Sequence, residues 1–172
     1  MIKKNYMAFF ILLLILIIIL SFKFDNELIY AFSLLKSSLL DKFFLMINNI
    51  SSRLIIFLFL TTIFFIGKKS RIMKRRWILP LWFTLILSSL INFFIKILIK
   101  RPRPYTLGLI SIPESLIEAS HSVWNFSFPS SHAMMVFAVL PILNKEFHKF
   151  KYVWIVFAVL VSISRVYLGL HY

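Results

Sequence analysis

The sequence predicts an all-α fold, a polytopic transmembrane helix bundle with five spans and one amphipathic helix. Hydrophobic residues make up 60% of the 172 residues, and only 15% are charged. The mean hydropathy is +0.90, a value typical of integral membrane proteins. Several apolar runs approach the roughly 20 helical residues that cross a hydrocarbon core of about 30 Å. No repeat or low-complexity linker divides the chain, so we expect residues 1–172 to form a single membrane-embedded domain.

The predicted spans follow one another along the chain. The first, residues 7–22, is an unbroken apolar run behind Lys3 and Lys4. No small-x-small cleavage site follows it, so we interpret it as a retained anchor and not as a signal peptide. Arg53 precedes the second span, and we interpret it as a snorkelling residue that lengthens this span. The other four predicted spans are residues 54–66, 78–99, 132–143 and 152–170.

A different pattern separates the first two spans. Apolar residues recur there at steps of three and four, which is typical of an amphipathic helix lying on the membrane or packed over the bundle. The residues of this stripe are Leu28, Phe32, Leu35, Leu39, Phe43, Met46 and Ile50.

The distribution of charge predicts the orientation. The net charge is +14, but the cations flank spans, where they attract anionic headgroups, and we therefore exclude nucleic acid as a partner. By the positive-inside rule, the most cationic segments lie in the cytoplasm. The abundance of Ile, Phe, Lys and Asn suggests a bacterium, so we expect a bacterial cytoplasmic membrane with a cytoplasmic amino terminus. The cations assigned to the cytoplasm are Lys3, Lys4, Lys68, Lys69, Arg71, Lys74, Arg75, Arg76, Lys145, Lys149 and Lys151.

Three polar segments interrupt the apolar sequence, and the alternation of spans places all three at the outer side. An intramembrane lysine normally faces a cavity, and the arginine fork matches phosphate oxygens. A serine-capped helix start offers unpaired backbone N–H groups to an anion. Taken singly, each segment has a plainer interpretation as a snorkelling cation or a simple helix cap. The segments are Lys96-x6-Arg103-Pro104, Pro129-Ser130-Ser131-His132 and Ser164-Arg165-x5-His171.

Together these segments resemble the three motifs of the type 2 phosphatidic acid phosphatase superfamily, the lipid phosphate phosphatases that are related to vanadium haloperoxidases. The family pattern is K-x6-R-P, then P-S-G-H, then S-R-x5-H-x3-D. The resemblance extends from about Leu54 onward. It implies a membrane lipid phosphatase that hydrolyses a polyprenyl diphosphate such as undecaprenyl diphosphate, or a lipid of the phosphatidate or phosphatidylglycerophosphate class.

The resemblance also implies residue roles. His171 is the expected nucleophile that forms a phosphohistidine, and His132 the expected general acid and then base. The expected phosphate-binding residues are Lys96, Arg103, Ser130, Ser131 and Arg165. We predict no cofactor and no metal, because the chain has no cysteine and its six acidic residues do not cluster. Membrane lipids are the expected partners, and no protein partner is predicted. We interpret His121 and His148, which match no motif, as surface residues.

Two departures from the family pattern bear on activity. Ser131 replaces the glycine of the second motif, which a helical backbone tolerates and a positive φ does not. The acid four residues after the nucleophile and a sixth span have no counterpart before Tyr172, so we expect a chain truncated at its carboxyl end. The alternative function is a catalytically inactive membrane protein that at most binds lipid phosphate. A small transporter is disfavoured because the polar segments lie at the rim and no paired broken spans are visible.

Overall fold

The computed structural model describes residues 2–66, 76–110, 112, 116 and 126–172. The described residues form six α-helices and no strand, so the predicted all-α fold is confirmed. The helices are α1 (Ile2–Leu34), α2 (Ser38–Ile50), α3 (Arg53–Ile66), α4 (Ile78–Ile99), α5 (Ser131–Glu146) and α6 (Lys151–Tyr167), with short 3-10 turns at Pro104–Leu107 and His148–Phe150.

Two helical segments of the described part are long and apolar enough to cross a membrane, Ile78–Leu107 and His148–Tyr167. The pair Ser38–Ile50 and Arg53–Phe65 reaches the same length and apolarity together, but it bends by 60° at its break. The structure therefore supports at least two spans, and the number five remains a prediction. The predicted loop cations and one unmatched histidine lie outside the described residues: Lys68, Lys69, Arg71, Lys74, Arg75 and His121.

The predicted amphipathic helix is wrong in its extent. Leu28 belongs to α1, and α2 begins only at Ser38. Ser37 separates the two helices, because its hydroxyl accepts a 3.3 Å hydrogen bond from the Leu40 N–H and caps α2. Most of the predicted stripe is exposed, and the buried face of α2 carries Phe44 and Ile47 instead. An apolar exposed face is stable where lipid replaces water, because lipid tails are as apolar as leucine.

The core lies between α3, α4, α5 and α6. α5 packs against both α4 and α6, while α1 and α2 pack against α6. Side chains from these helices interdigitate in one buried cluster. Close packing within this cluster fixes the spacing of the helices. The members with the least exposure are Leu60, Phe64, Leu81, Leu85, Val139, Leu143, Ala158 and Val161.

A second buried cluster joins α2 to the end of α6. The Tyr167 ring is fully buried and lies 4.4 Å from the Phe44 ring between centroids. Its hydroxyl donates a 2.8 Å hydrogen bond to Asp41 Oδ1 and accepts one of 3.3 Å from the Ser37 N–H. These contacts anchor the last turn of α6, and hence the segment that follows it.

The long helix α1 is held by contacts with the segment that follows α4. Asp25 on α1 pairs with Arg101 at 2.5 Å. The Arg101 guanidinium also lies 4.4 Å from the Phe22 ring centroid and 3.7 Å from that of Tyr172, a cation–π arrangement on two rings. Arg101 therefore has a structural contact with α1, whereas its neighbour Arg103 is buried elsewhere.

Candidate functional site

One cavity of about 580 Å³ opens among the helices at the end where the three polar segments meet. A cavity of this size admits a phosphate group together with part of the molecule that carries it. Six of the seven predicted site residues line the cavity, and Ser130 does not. The six are Lys96, Arg103, Ser131, His132, Arg165 and His171.

The first polar segment places one cation inside a helix and one beyond its end. Lys96 lies on α4 one turn after Asn92, and both side chains are buried. The Lys96 ammonium donates a 2.5 Å hydrogen bond to the Phe126 carbonyl, which leaves two of its three donors for a ligand. The helix ends at Ile99, Lys100 adopts a left-handed conformation with φ 48°, and the chain then turns so that Arg103 reaches the cavity.

The second polar segment forms the start of α5. Ser130 is the N-cap, and its hydroxyl accepts a 3.5 Å hydrogen bond from the Ala133 N–H. Ser131 is already helical, and its hydroxyl donates a 2.8 Å hydrogen bond to Asn92 Oδ1. The side chain that departs from the family glycine therefore meets no backbone restriction and ties α5 to α4. The next residue, His132, lines the cavity.

The third polar segment differs from the sequence prediction in one respect. The span was expected to continue to residue 170, but α6 ends at Tyr167 and Gly169 turns the chain with φ 68°. Ser164 and His171 therefore do not share a helix face. Ser164 is buried outside the cavity lining, where its hydroxyl donates a 2.6 Å hydrogen bond to the Val161 carbonyl. Arg165 faces the cavity, and its Nη1 donates a hydrogen bond to Asn48 Oδ1.

The position of His171 is fixed by the turn that precedes it and by a neighbouring backbone carbonyl. The Leu170 and His171 N–H groups both donate to the Arg165 carbonyl at 3.1 Å. The ring Nδ1 donates to the carbonyl of Ser127. The loop that contains Ser127 is itself held by a 2.8 Å hydrogen bond from the Ser127 N–H to the Arg101 carbonyl. The ring is thus oriented although it lies beyond the helix.

The tautomer of His171 follows from this contact. A carbonyl oxygen only accepts, so Nδ1 carries the proton and Nε2 keeps its lone pair. Burial, followed by the positive charges of Arg165 and Arg103, holds the pKa of His171 well below its usual range. The ring is therefore neutral near pH 7, which is the state that a nucleophilic nitrogen requires.

The cavity concentrates positive charge, and none of the described residues that line it is acidic. The Nε–H groups of Arg103 and Arg165 are buried and have no hydrogen-bond partner among the described residues. The salt bridge between Arg101 and Asp25 lies outside the cavity lining. Buried charges and donors without partners are costly. A polyvalent oxyanion in the cavity would satisfy them.

Several lining residues were not predicted from the sequence. Asn48 and Arg53 come from the bend between α2 and α3. The Ser127 carbonyl, which orients the His171 ring without being part of the lining, comes from the loop before α5. The sequence contains a signal for the first two, since the polar run from Asn48 to Arg53 interrupts an apolar region. A backbone carbonyl leaves no such signal.

The remaining predictions about the site concern metals and the unmatched histidine. Within the described residues, no group of three or more His, Cys, Asp or Glu side chains is arranged to hold a metal ion. His148 is exposed in the 3-10 turn after α5, as expected for a surface residue. The absence of a metal requirement remains a prediction.

Comparisons with known proteins place the chain beside membrane phosphatases. A family model described as the PAP2 superfamily matches residues 77–172. The chain is similar to a crystal structure of a transmembrane PAP2 type phosphatidylglycerolphosphate phosphatase from Bacillus subtilis, with a TM-score of 0.63 and 26% sequence identity. That similarity covers 94% of this chain and 83% of the other. No protein of curated function gives a significant match.

Proposed function

Because this integral membrane protein belongs to the PAP2 superfamily, we propose that it hydrolyses the terminal phosphate of a membrane lipid at the cavity lined by His132 and His171. The observation that carries the proposal is the excess of buried cationic donors, two of them unpaired among the described residues, in a cavity that His171 lines with Nδ1 held by the Ser127 carbonyl. The substrate class is a lipid phosphate monoester or diphosphate. The B. subtilis phosphatidylglycerolphosphate phosphatase supports this class, and undecaprenyl diphosphate is a second candidate.

In the first chemical step, Nε2 of His171 forms a bond to phosphorus while the bond from phosphorus to the lipid oxygen breaks. Protonated His132 gives its proton to that oxygen. The negative charge of the bound phosphate favours the protonated form of His132. The products of this step are the dephosphorylated lipid and a phosphohistidine.

In the second step, neutral His132 takes a proton from water, and the water oxygen bonds to phosphorus as the bond to Nε2 breaks. Inorganic phosphate leaves, and both histidines return to their starting states. Lys96, Arg103 and Arg165 stabilise the charge on the phosphate oxygens in both transition states. The helix start at Ser131 adds backbone N–H groups, whereas the Ser130 hydroxyl supports this role through its cap.

The proposal includes a cavity on the outer face of a bacterial cytoplasmic membrane. Arg76, Lys145 and Lys151 support this orientation, because they lie at the helix ends remote from Ser131 and His171. The chain has no cysteine, so single cysteines introduced at Thr106 and Lys149 would report sidedness. We expect an impermeant thiol reagent added to intact cells to label Thr106→Cys and to spare Lys149→Cys. Labelling of the second site alone would reverse the orientation.

The test of function is phosphate release by the purified chain in detergent micelles. Phosphatidylglycerophosphate, phosphatidate and undecaprenyl diphosphate are assayed in parallel with His171→Ala and with His148→Ala as a matched control. We expect turnover of at least one lipid, its loss in His171→Ala by about 10⁴-fold or more, and retention in His148→Ala. Binding of all three lipids without turnover by the unsubstituted chain would favour the inactive alternative.

A further inference from the structure

Arg53 contributes a cation to the cavity that none of the three motifs includes. It is the first residue of α3, and it lines the cavity because the chain bends by 60° between α2 and α3. The bend also brings Asn48 to the cavity, where its side-chain oxygen accepts from Arg165. The family model begins at residue 77, so both residues lie outside the matched region.

The side chain of Arg53 is available to a ligand. It is exposed, and in the described part of the chain it forms no ion pair with a carboxylate. Its charge adds to a space that already holds Lys96, Arg103 and Arg165. A single phosphate does not need four cations, so the surplus points to a second anion.

Arg53 enters the cavity from the start of α3, whereas the cations of the three motifs come from α4, from the segment that follows it and from α6. Arg53 therefore adds to the cavity a cation from an element that carries none of the motifs.

The leaving group needs room in the cavity beside the transferred phosphate. In phosphoryl transfer the attacking and leaving atoms lie roughly in line on opposite sides of phosphorus. With His171 attacking and His132 protonating the departing oxygen, the three motif cations hold the transferred phosphate, and Arg53 is the lining cation left for the rest of the lipid. A phosphatidate leaves as a neutral diacylglycerol, whereas a lipid with two phosphate groups leaves with one anionic phosphate still attached.

We propose that Arg53 determines substrate specificity by binding the phosphate that stays with the lipid. The preferred substrates then carry two phosphate groups, either joined directly as a diphosphate or separated by a glycerol as in phosphatidylglycerophosphate. Arginine suits this role because its planar fork binds two phosphate oxygens together. The inference rests on the proposed function and adds a specificity that the motifs do not encode.

The experiment compares kcat/KM on matched lipids for the full chain and for Arg53→Gln. The pairs are phosphatidylglycerophosphate against phosphatidate, and farnesyl diphosphate against farnesyl monophosphate. Loss of one charge-assisted contact should lower the ratio for two-phosphate over one-phosphate lipids by about tenfold or more. Arg53→Lys should retain part of the ratio, because it keeps the charge and loses the fork. Lys100→Gln is the control, an exposed cation at the end of α4 whose loss should leave the ratio unchanged.

The outcomes separate this inference from the proposed function. A ratio that falls for one pair only supports the inference and identifies how the two phosphates are joined. Equal loss on both members of each pair, or no loss, would overturn it while leaving the phosphatase intact. Turnover of any one-phosphate lipid by Arg53→Gln shows that the variant is folded. If the unsubstituted chain hydrolyses none of the four lipids, the result contradicts the proposed function itself and not only the role of Arg53.

Discussion

At the scale of single residues, the proposed chemistry depends on which nitrogen of His171 keeps its lone pair. The Ser127 carbonyl holds the proton on Nδ1 and leaves the lone pair on Nε2. In serine proteases a carboxylate performs the same orientation and also stabilises the imidazolium that forms. A carbonyl fixes the tautomer through its dipole but carries no full negative charge. The surrounding cations favour a neutral ring, which suits attack on phosphorus.

Arg165 supplies the next test at this scale. Arg165→Lys removes the Nη1 hydrogen bond to Asn48 and the buried Nε–H, because an ammonium cannot replace a planar fork. We expect kcat/KM for the preferred lipid phosphate to fall by about 10²-fold, as for other single oxyanion donors. The measurement is phosphate release at several substrate concentrations, with a thermal melt to verify folding.

The matched control for this substitution is Arg76→Lys. Arg76 is exposed and stacks over Trp77, at 5.5 Å from the ring centroid, remote from the cavity. It should leave kcat/KM close to that of the unsubstituted chain. If Arg165→Lys behaves like Arg76→Lys, the guanidinium of Arg165 is not a phosphate ligand.

At the scale of elements, the end of α6 decides where His171 lies. The Gly169 N–H donates to the Val166 carbonyl at 2.9 Å, and the Leu170 N–H donates to the Arg165 carbonyl at 3.1 Å. This pair of bonds, with a glycine at positive φ between them, is a Schellman ending. This ending reverses the chain within three residues and brings His171 back to α6.

Gly169→Ala tests that ending. A Cβ at Gly169 would lie 2.3 Å from Ile110 Cγ2 and would also meet a left-handed φ of 68°. Displacing the turn moves His171, and misplacement of a reacting group by about 1 Å can lower the rate by roughly 10²-fold. We expect such a loss in kcat with the helical circular dichroism retained.

Gly108→Ala is the control because it has the same backbone conformation without the collision. Its φ is 70°, and nothing lies within 4 Å of a Cβ built there. It should lower stability by about 1–2 kcal/mol through the left-handed φ alone and preserve activity. Equal activity in Gly169→Ala and Gly108→Ala would show that the Gly169 turn does not position His171.

The helices differ in how well the sequence predicts their positions and their ends. Hydrophobic runs located α4, α5 and α6 well, because burial and lipid contact both select apolar residues over a whole helix. The stripe from Leu28 to Ile50 was misassigned because its period is helical in both α1 and α2, and a period does not show a break. Ser37 marks that break, but a serine cap is common in polar sequence as well. The end of α6 was missed because residues 168–170 are as apolar as the helix.

At the scale of the whole molecule, the site is assembled from segments far apart in the chain. The sequence motifs identified six of the cavity-lining residues, since each motif is local. Arg53 and Asn48 were missed as lining residues because their place depends on how the α2–α3 bend packs beside α6. Such a contact is a property of tertiary structure, which spacing along one segment does not contain.

Metal independence is the prediction that belongs to the molecule as a whole. Side-chain cations line the cavity proposed to bind phosphate, and the described residues include no cluster of metal-ligating groups. Phosphate release should therefore be unchanged after excess chelator and dialysis. Activity lost on chelation and restored by Mg²⁺ would assign the charge compensation to a metal ion.

The most direct test of the central claim is to find the phosphate on the protein during turnover. A single turnover of purified chain with its lipid phosphate is quenched in alkali, which preserves phosphohistidine, and the protein is analysed by mass spectrometry and phosphorus NMR. We expect one phosphoryl group on Nε2 of His171, because Nδ1 is held by the Ser127 carbonyl. A phosphoryl group on Nδ1 or on another residue would contradict it. So would full phosphate release with no phosphorylated protein at any quench time.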